Sequence, residues 1–279
     1  MKGLDIMRED FLAFKQYYRD AIAKVPEDSF YRQTINHKFK HSVEVLHIGQ
    51  TILAETPELK NKSAKFKKMA EIALLFHDVG RFEEAALQYK AETKNHIITA
   101  ASNTYDHGLI GYKLLKKNLK YNDKRILFAL KWHGKTTAVI TASRDWKIAS
   151  KAPDFTELKQ ILFLVRDADK LANLHHIKAY NHLEKDLFYR QLTDDALHAP
   201  LSQKVLEEFY QERKVSFLNV YSFADRVLMV ISWIFDLNYK TSQMIFKQNA
   251  YDVFLIKLLK KYHKNTADIK EIKKFIKNP

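Results

Sequence analysis

No cysteine occurs in the 279 residues, which excludes disulfide bridges, thiolate metal ligands and a cysteine nucleophile. Any metal site must therefore draw on nitrogen and oxygen donors. Glycine (6) and proline (5) are scarce as well, too few for the tight turns of an all-β fold. Lys, Leu, Ala, Glu and Ile abound instead, and the chain reads as all-α. Long hydrophobic runs are also lacking. The most apolar stretch, residues 217–237, carries Asp225 and Arg226 in its middle, which is too costly for a membrane span. It is expected as one buried core helix, with Asp225 and Arg226 forming an interior ion pair or a contact between subunits. Met1-Lys2-Gly3-Leu4-Asp5 mixes charges and has no apolar core of a secretion signal, so the expected location is the cytoplasm, with no membrane partner.

What is present is a hydrophobic fraction of 46% with 13% aromatics, enough for one large core or two modest ones. The net charge of +14 draws anions toward the surface. Phosphorylated substrates fit that field, as do nucleic acids, although nucleic acid is not the favoured partner. Lys257, Lys260, Lys261, Lys264, Lys270, Lys273, Lys274 and Lys277 crowd the last segment and read as solvated surface.

Apolar residues at helical spacing predict a first helix over 5–24, ended by Pro26, and a second over 36–55 capped by Asn36, with Val45, Ile48 and Ile52 as its buried stripe. His41 falls on that stripe. A third helix, 63–78, ends at His77-Asp78, with Gly80 as its stop signal. Residues 83–105 read as loop with a little helix around Asn95-His96-Ile97-Ile98, and His96 is a weak candidate from that loop. Helices follow over 106–117, with His107 at its start, and 123–133, with His133 just ahead of Gly134. The polar stretch 135–150 precedes a long helix over 155–176, in which Asp167, Asp169 and Asn173 interrupt an otherwise apolar run. Buried carboxylates without partners are expensive, so these need a reason. Residues 191–200 read as a linker between 1–190 and a C-terminal helical extension, 191–279, with helices over 201–212, 215–237, 241–261 and 267–277.

His41, His77, Asp78, His107, His133 and Asp169 are thus polar residues on apolar helices, spread along the chain. Three segments carry a recognisable order: Phe39-Lys40-His41-Ser42-Val43, Leu75-Phe76-His77-Asp78-Val79-Gly80-Arg81 and Asp167-Ala168-Asp169-Lys170-Leu171-Ala172-Asn173. In this the chain resembles the HD-domain superfamily of metal-dependent phosphohydrolases, all-α helical bundles. The resemblance implies that His41, His77, Asp78 and Asp169 hold one divalent cation. Asp167 competes with Asp169 and would otherwise orient a ligand histidine. Asp106-His107-Gly108 and Trp132-His133-Gly134 resemble the two extra histidines of subgroups with a second metal, although the Gly-Tyr-Pro signature of the cyclic-dinucleotide branch is absent.

The implied activity is phosphomonoester or phosphodiester hydrolysis of a nucleotide or other small phosphoester. The cofactor is one or two divalent cations, from Mn, Fe, Co, Ni, Zn or Mg. Such a cation lowers the pKa of its water from 15.7 to about 7, and a second about 3.5–4 Å away would clamp both oxygens of the displacement. With one cation, His107 or His133 could protonate the leaving group instead. Arg81, Lys135, Lys170 and Asn173 are the expected substrate contacts, Arg81 standing where Lys is common after the His-Asp pair. Two alternatives differ in class: a diiron oxygenase on the same scaffold, and a non-catalytic binder of anionic polymers. The C-terminal helices are expected to cap the pocket or to form a homodimer interface.

Overall fold

The computed structural model describes residues 8–93, 106–185 and 192–277, and among these it holds helices and no strand. Two compact units result, Met1–Asp169 and Lys170–Pro279, a division that falls ahead of the 190/191 boundary drawn from the sequence. His96 and its neighbours lie outside the described residues.

The first unit contains α1 (Arg8–Ile22), α2 (Phe30–Glu55), α3 (Ala64–Phe76), α4 (Val79–Glu92), α5 (His107–Lys116), α6 (Lys124–Trp132) and the first part of α7 (Phe155–Tyr180). Helix α2 starts six residues earlier than Asn36, because Ser29 accepts a hydrogen bond from the backbone of Arg32 and so caps it. Asn36 lies inside the helix, where its side chain accepts from the Tyr18 hydroxyl at 2.8 Å. Much of the stretch read as loop is helical, since α4 runs to Glu92. The polar stretch after His133 folds into two short helices, Thr137–Ala142 and Arg144–Ala149, capped by Thr136 and Ser143.

Phe14, Phe76, Phe82 and Tyr121 are fully buried and bind α1, α3, α4 and the 3-10 turn Leu119–Tyr121 into one aromatic core. The Phe14 ring lies 5.4 Å from Phe76 and 5.5 Å from Phe82, and Phe76 lies 5.0 Å from Tyr121. Because Phe76 is anchored there, the next residue, His77, leaves the helix in a fixed direction.

Asp10 gives this core a polar pin. Buried in the first turn of α1, it accepts from the Tyr121 hydroxyl at 3.0 Å, pairs with Lys68, and lies 3.2 Å from Lys120. Burial alone would raise its pKa, but Lys68, Lys120 and Tyr121 together bring it below the ordinary value. A depressed carboxylate stabilises the fold above its unfolded pKa of about 3.9, and that contribution is lost as pH falls through the folded value. Asp10→Asn is expected to cost about 2–3 kcal/mol at pH 7, less than a fully enclosed pair because both lysines reach water. Urea unfolding at pH 7 and at pH 3 should show the gap to wild type shrinking at the lower pH.

The second unit contains α8 (Gln203–Glu212), α9 (Phe223–Ile231), α10 (Lys240–Gln248), α11 (Tyr251–Tyr262) and α12 (Thr266–Phe275). The apolar run 217–237 is not one helix: a 3-10 turn Phe217–Asn219, α9 and a second 3-10 stretch Ser232–Asp236 replace it. Asp225 is the reason. Its carboxylate accepts from the Ser222 backbone at 3.1 Å while Ser222 accepts from the Asp225 backbone at 3.0 Å, a reciprocal cap that starts α9. It also takes the backbone and hydroxyl of Ser202, both at 2.9 Å. Asp225 is thus a helix cap, and Arg226 sits with its guanidinium 5.4 Å from the Phe217 ring centre. Likewise 241–261 is broken between α10 and α11, where Ala250 takes a left-handed φ of 49°. The expected linker holds a short helix, Asp194–His198, capped by Thr193. All eight lysines of the last segment are exposed, and no described helix is long and apolar enough to cross a membrane.

Candidate metal centre

Helix α3 ends at Phe76, and α4 begins at Val79, so His77 and Asp78 form the corner between them. Gly80 does not stop a helix; it lies in the first turn of α4, with an ordinary negative φ. Its lack of a side chain serves a close approach. A Cβ there would stand 2.0 Å from the His107 carbonyl oxygen and 2.7 Å from the Gly111 nitrogen. Gly108 repeats the device one helix on, where a Cβ would meet the Lys131 carbonyl at 2.7 Å. Through these contacts α4 touches α5 and α5 touches α6, and His107 is carried to the corner.

Asp78 occupies the centre of what results. Its Oδ2 lies 3.6 Å from His77 Nε2 and 4.0 Å from His41 Nε2, while its Oδ1 lies 3.4 Å from His133 Nε2 and 3.6 Å from His107 Nε2. Asp169 closes the first group, with Oδ1 at 2.9 Å from His41 Nε2 and 3.7 Å from His77 Nε2. His107 and His133 stand 3.3 Å apart through their Nε2 atoms. His41, His77, Asp78 and His133 are buried, whereas the side chains of His107 (17%) and Asp169 (22%) keep some exposure and mark the open side. Donors about 2.0–2.2 Å from one cation stand about 3–4 Å from each other, and the distances here fall in that range.

Two histidines are aimed by the same local device. At the end of α3, His77 donates from Nδ1 to the Leu74 carbonyl at 2.9 Å; at the end of α6, His133 donates from Nδ1 to the Leu130 carbonyl at 2.8 Å. In each ring the proton is thereby held on Nδ1, and Nε2 faces the cluster with its lone pair. For His77 the consequence is sharp. Its Nε2 is fully buried, makes no hydrogen bond, and confronts carboxylate oxygens of Asp78 and Asp169. A lone pair against two anions needs a positive charge between them, a proton or a metal ion.

The electrostatics agree with a cation site. Burial would raise the pKa of Asp78, yet Lys38, His77, His133 and His107 hold it well below the usual carboxylate value. Asp169 is likewise held far down, against its burial, by His41 and His77. Burial lowers His41 and pushes His107 down to about 3, so both imidazoles are neutral at pH 7, the form that ligates. The His77 pKa is raised, since Asp78 and Asp169 outweigh its burial. The groups His41-His77-Asp169 and His77-Asp78-His133 are compatible with metal binding.

Other residues named from the sequence fall differently. Arg81 lies beside the cluster: its Nη1 bonds Glu84 at 2.7 Å, and its Nε, without a hydrogen bond, is 3.8 Å from Asp78 Oδ1. Lys135 pairs with Asp106 at 2.9 Å, joining the segments that carry His107 and His133. Lys170 pairs with Asp236 at 3.0 Å in the second unit, where Asn173 is half-buried. Of the two neighbouring acids, Asp169 stands in the cluster, and Asp167, also buried, is a member of neither donor group.

Two residues escaped the sequence reading. Lys38 reaches Asp78 Oδ2 at 2.9 Å, and buried Arg166 donates to the carbonyls of His133, at 2.9 Å, and of Lys135. Each sits three residues before a cluster residue on the same helix, His41 and Asp169, the spacing that puts two side chains on one face.

The family model described as the HD domain matches residues 39–174, a span that takes in His41, His77, Asp78, His107, His133 and Asp169. No curated protein and no solved structure matches the chain. With the matched span and the convergence of these side chains on Asp78, residues 39–174 form an HD domain, the domain that marks a superfamily of metal-dependent phosphohydrolases.

Proposed function

We propose that this HD domain hydrolyses a phosphoester bond in a nucleotide or other small anionic phosphoester, with one or two divalent cations held by His41, His77, Asp78, His107, His133 and Asp169. One observation carries the reading: Asp78 turns one carboxylate oxygen to His41 and His77 and the other to His107 and His133, leaving the buried Nε2 of His77 without a hydrogen bond. The bound cation supplies a water acidic enough to be a nucleophile near pH 7 and polarises a phosphoryl oxygen.

The side chains supply the remainder. Leu74 and Leu130, through their carbonyls, keep His77 and His133 in the tautomer that presents Nε2. His107, neutral and partly exposed, suits a ligand on the open side; with its pKa pushed down to about 3 it is too weak a base to carry a proton near pH 7, so the leaving-group role expected of it falls to another group. Arg81, held beside the cluster by Glu84 at 2.7 Å and 3.8 Å from Asp78 Oδ1, suits a phosphate oxygen.

The test is purification without chelator, elemental analysis, and assay of the same sample on a panel of nucleotides and phosphoesters. Expected are one or two equivalents of Mn, Fe, Co, Ni, Zn or Mg and release of phosphate or nucleoside that a chelator stops. Folded protein without metal, or hydrolysis indifferent to the chelator, would overturn the reading. The two-sided Asp78 also suits a pair of irons in oxygen chemistry; bound iron with oxygen uptake and no phosphate release would select that second reading.

A further inference from the structure

Lys38 has no part in the reading above, yet it stands where positive charge collects. It lies one turn ahead of His41 on α2, and its Nζ is 2.9 Å from Asp78 Oδ2, the oxygen that also faces His41 and His77. The side chain is 21% exposed, so it runs from the surface to the carboxylate at the centre of the cluster. Charge counting makes this position informative. Asp78 and Asp169 bring two negative charges, Arg81 is paired with Glu84, and Lys38 already offsets one of the two. A divalent cation at the same carboxylates neutralises both and leaves the lysine as surplus positive charge, repelled by the metal. A phosphate dianion removes that surplus.

We propose that Lys38 couples the metal to the anion. Without phosphate its ammonium rests on Asp78 and competes with the cation for Oδ2. With phosphate present the ammonium passes to a phosphate oxygen, freeing Oδ2, so that metal and phosphate each bind more tightly in the presence of the other. Lys38 is then a specificity-determining residue, selecting a phosphate dianion over neutral ligands. The inference rests on the cluster being a divalent-cation site. Linkage requires the enhancement to be the same factor for either ligand, and couplings of this kind run about 5–150-fold.

The experiment is calorimetric titration of the full chain, stripped of metal, with Mn²⁺ in the absence and presence of inorganic phosphate. Wild type is expected to bind Mn²⁺ roughly tenfold or more tightly with phosphate. Lys38→Met keeps the aliphatic stem and removes the charge; it should bind Mn²⁺ about tenfold more tightly than wild type without phosphate and lose most of the phosphate effect. Lys38→Arg should retain the coupling, and Lys38→Gln serves as second neutral variant, with thermal unfolding to confirm that each is folded. Unchanged or weaker Mn²⁺ binding in the folded neutral variants, or a wild type indifferent to phosphate, would overturn the coupling while leaving the metal site intact. Wild type that takes no divalent metal would overturn both this inference and the proposed hydrolase.

Discussion

Replacing Asp78 by asparagine is expected to remove bound metal and to lower kcat/KM by about three decades. A cation contributes several kcal/mol to a phosphoryl transition state, and each 1.36 kcal/mol is a decade in rate. Asparagine preserves the shape of the corner but offers one oxygen and no charge, whereas four histidines surround both oxygens of the native carboxylate at 3.4–4.0 Å. With that anion gone, Lys38 and the imidazoles have only Asp169 to balance a cation. Elemental analysis alongside steady-state kinetics gives the answer, and circular dichroism shows whether the helices survive. Full metal occupancy in Asp78→Asn would mean that the carboxylate is structural.

A second large effect is expected from a single methyl group. Gly80→Ala would place Cβ 2.0 Å from the His107 carbonyl oxygen and 2.7 Å from the Gly111 nitrogen. Both are backbone atoms and neither can rotate away, so α5 must retreat from α4 and take His107 with it. Overpacking of this kind costs about 3 kcal/mol, and at about 2–4 °C per kcal/mol the Tm should fall by roughly 6–12 °C. The metal count should drop too if His107 serves a second cation. Gly111→Ala is the matched control on the same pair of helices: its nearest neighbours would be 3.4 Å away, ordinary contact, and it should stay within about 1 kcal/mol of wild type. Equal melting of the two variants would show that the contact between α4 and α5 is looser than the distances imply.

The sequence was most legible where one residue type has one physical use. Scarce glycine and proline with abundant helix formers pointed to the all-α class, and polar residues stranded on apolar helices pointed to His41, His77, Asp78, His107, His133 and Asp169. It was least legible where glycine and acidic residues have several uses. Gly80 looked like a helix stop and is a contact surface, because whether a missing side chain ends a helix or admits a neighbour depends on the neighbour. Asp225 looked like a buried ion-pair partner and is a helix cap, because the serines that complete it, Ser222 and Ser202, include one from a separate segment. Lys38 and Arg166 were passed over since lysine and arginine on a basic chain usually face water.

The order of the chain therefore determined that this is a helical protein with imidazoles and carboxylates placed where they must be buried. Local forces suffice for that: helical periodicity, side-chain caps and the exclusion of apolar surface from water act over a few residues. Only the tertiary structure decided that Asp78 divides its two oxygens between two pairs of histidines, that Asp169 rather than Asp167 reaches them, and that a lysine shares the same carboxylate. Those outcomes depend on the approach of helices far apart in sequence, at positions set by the bulk of Phe76 and the absence of it at Gly80.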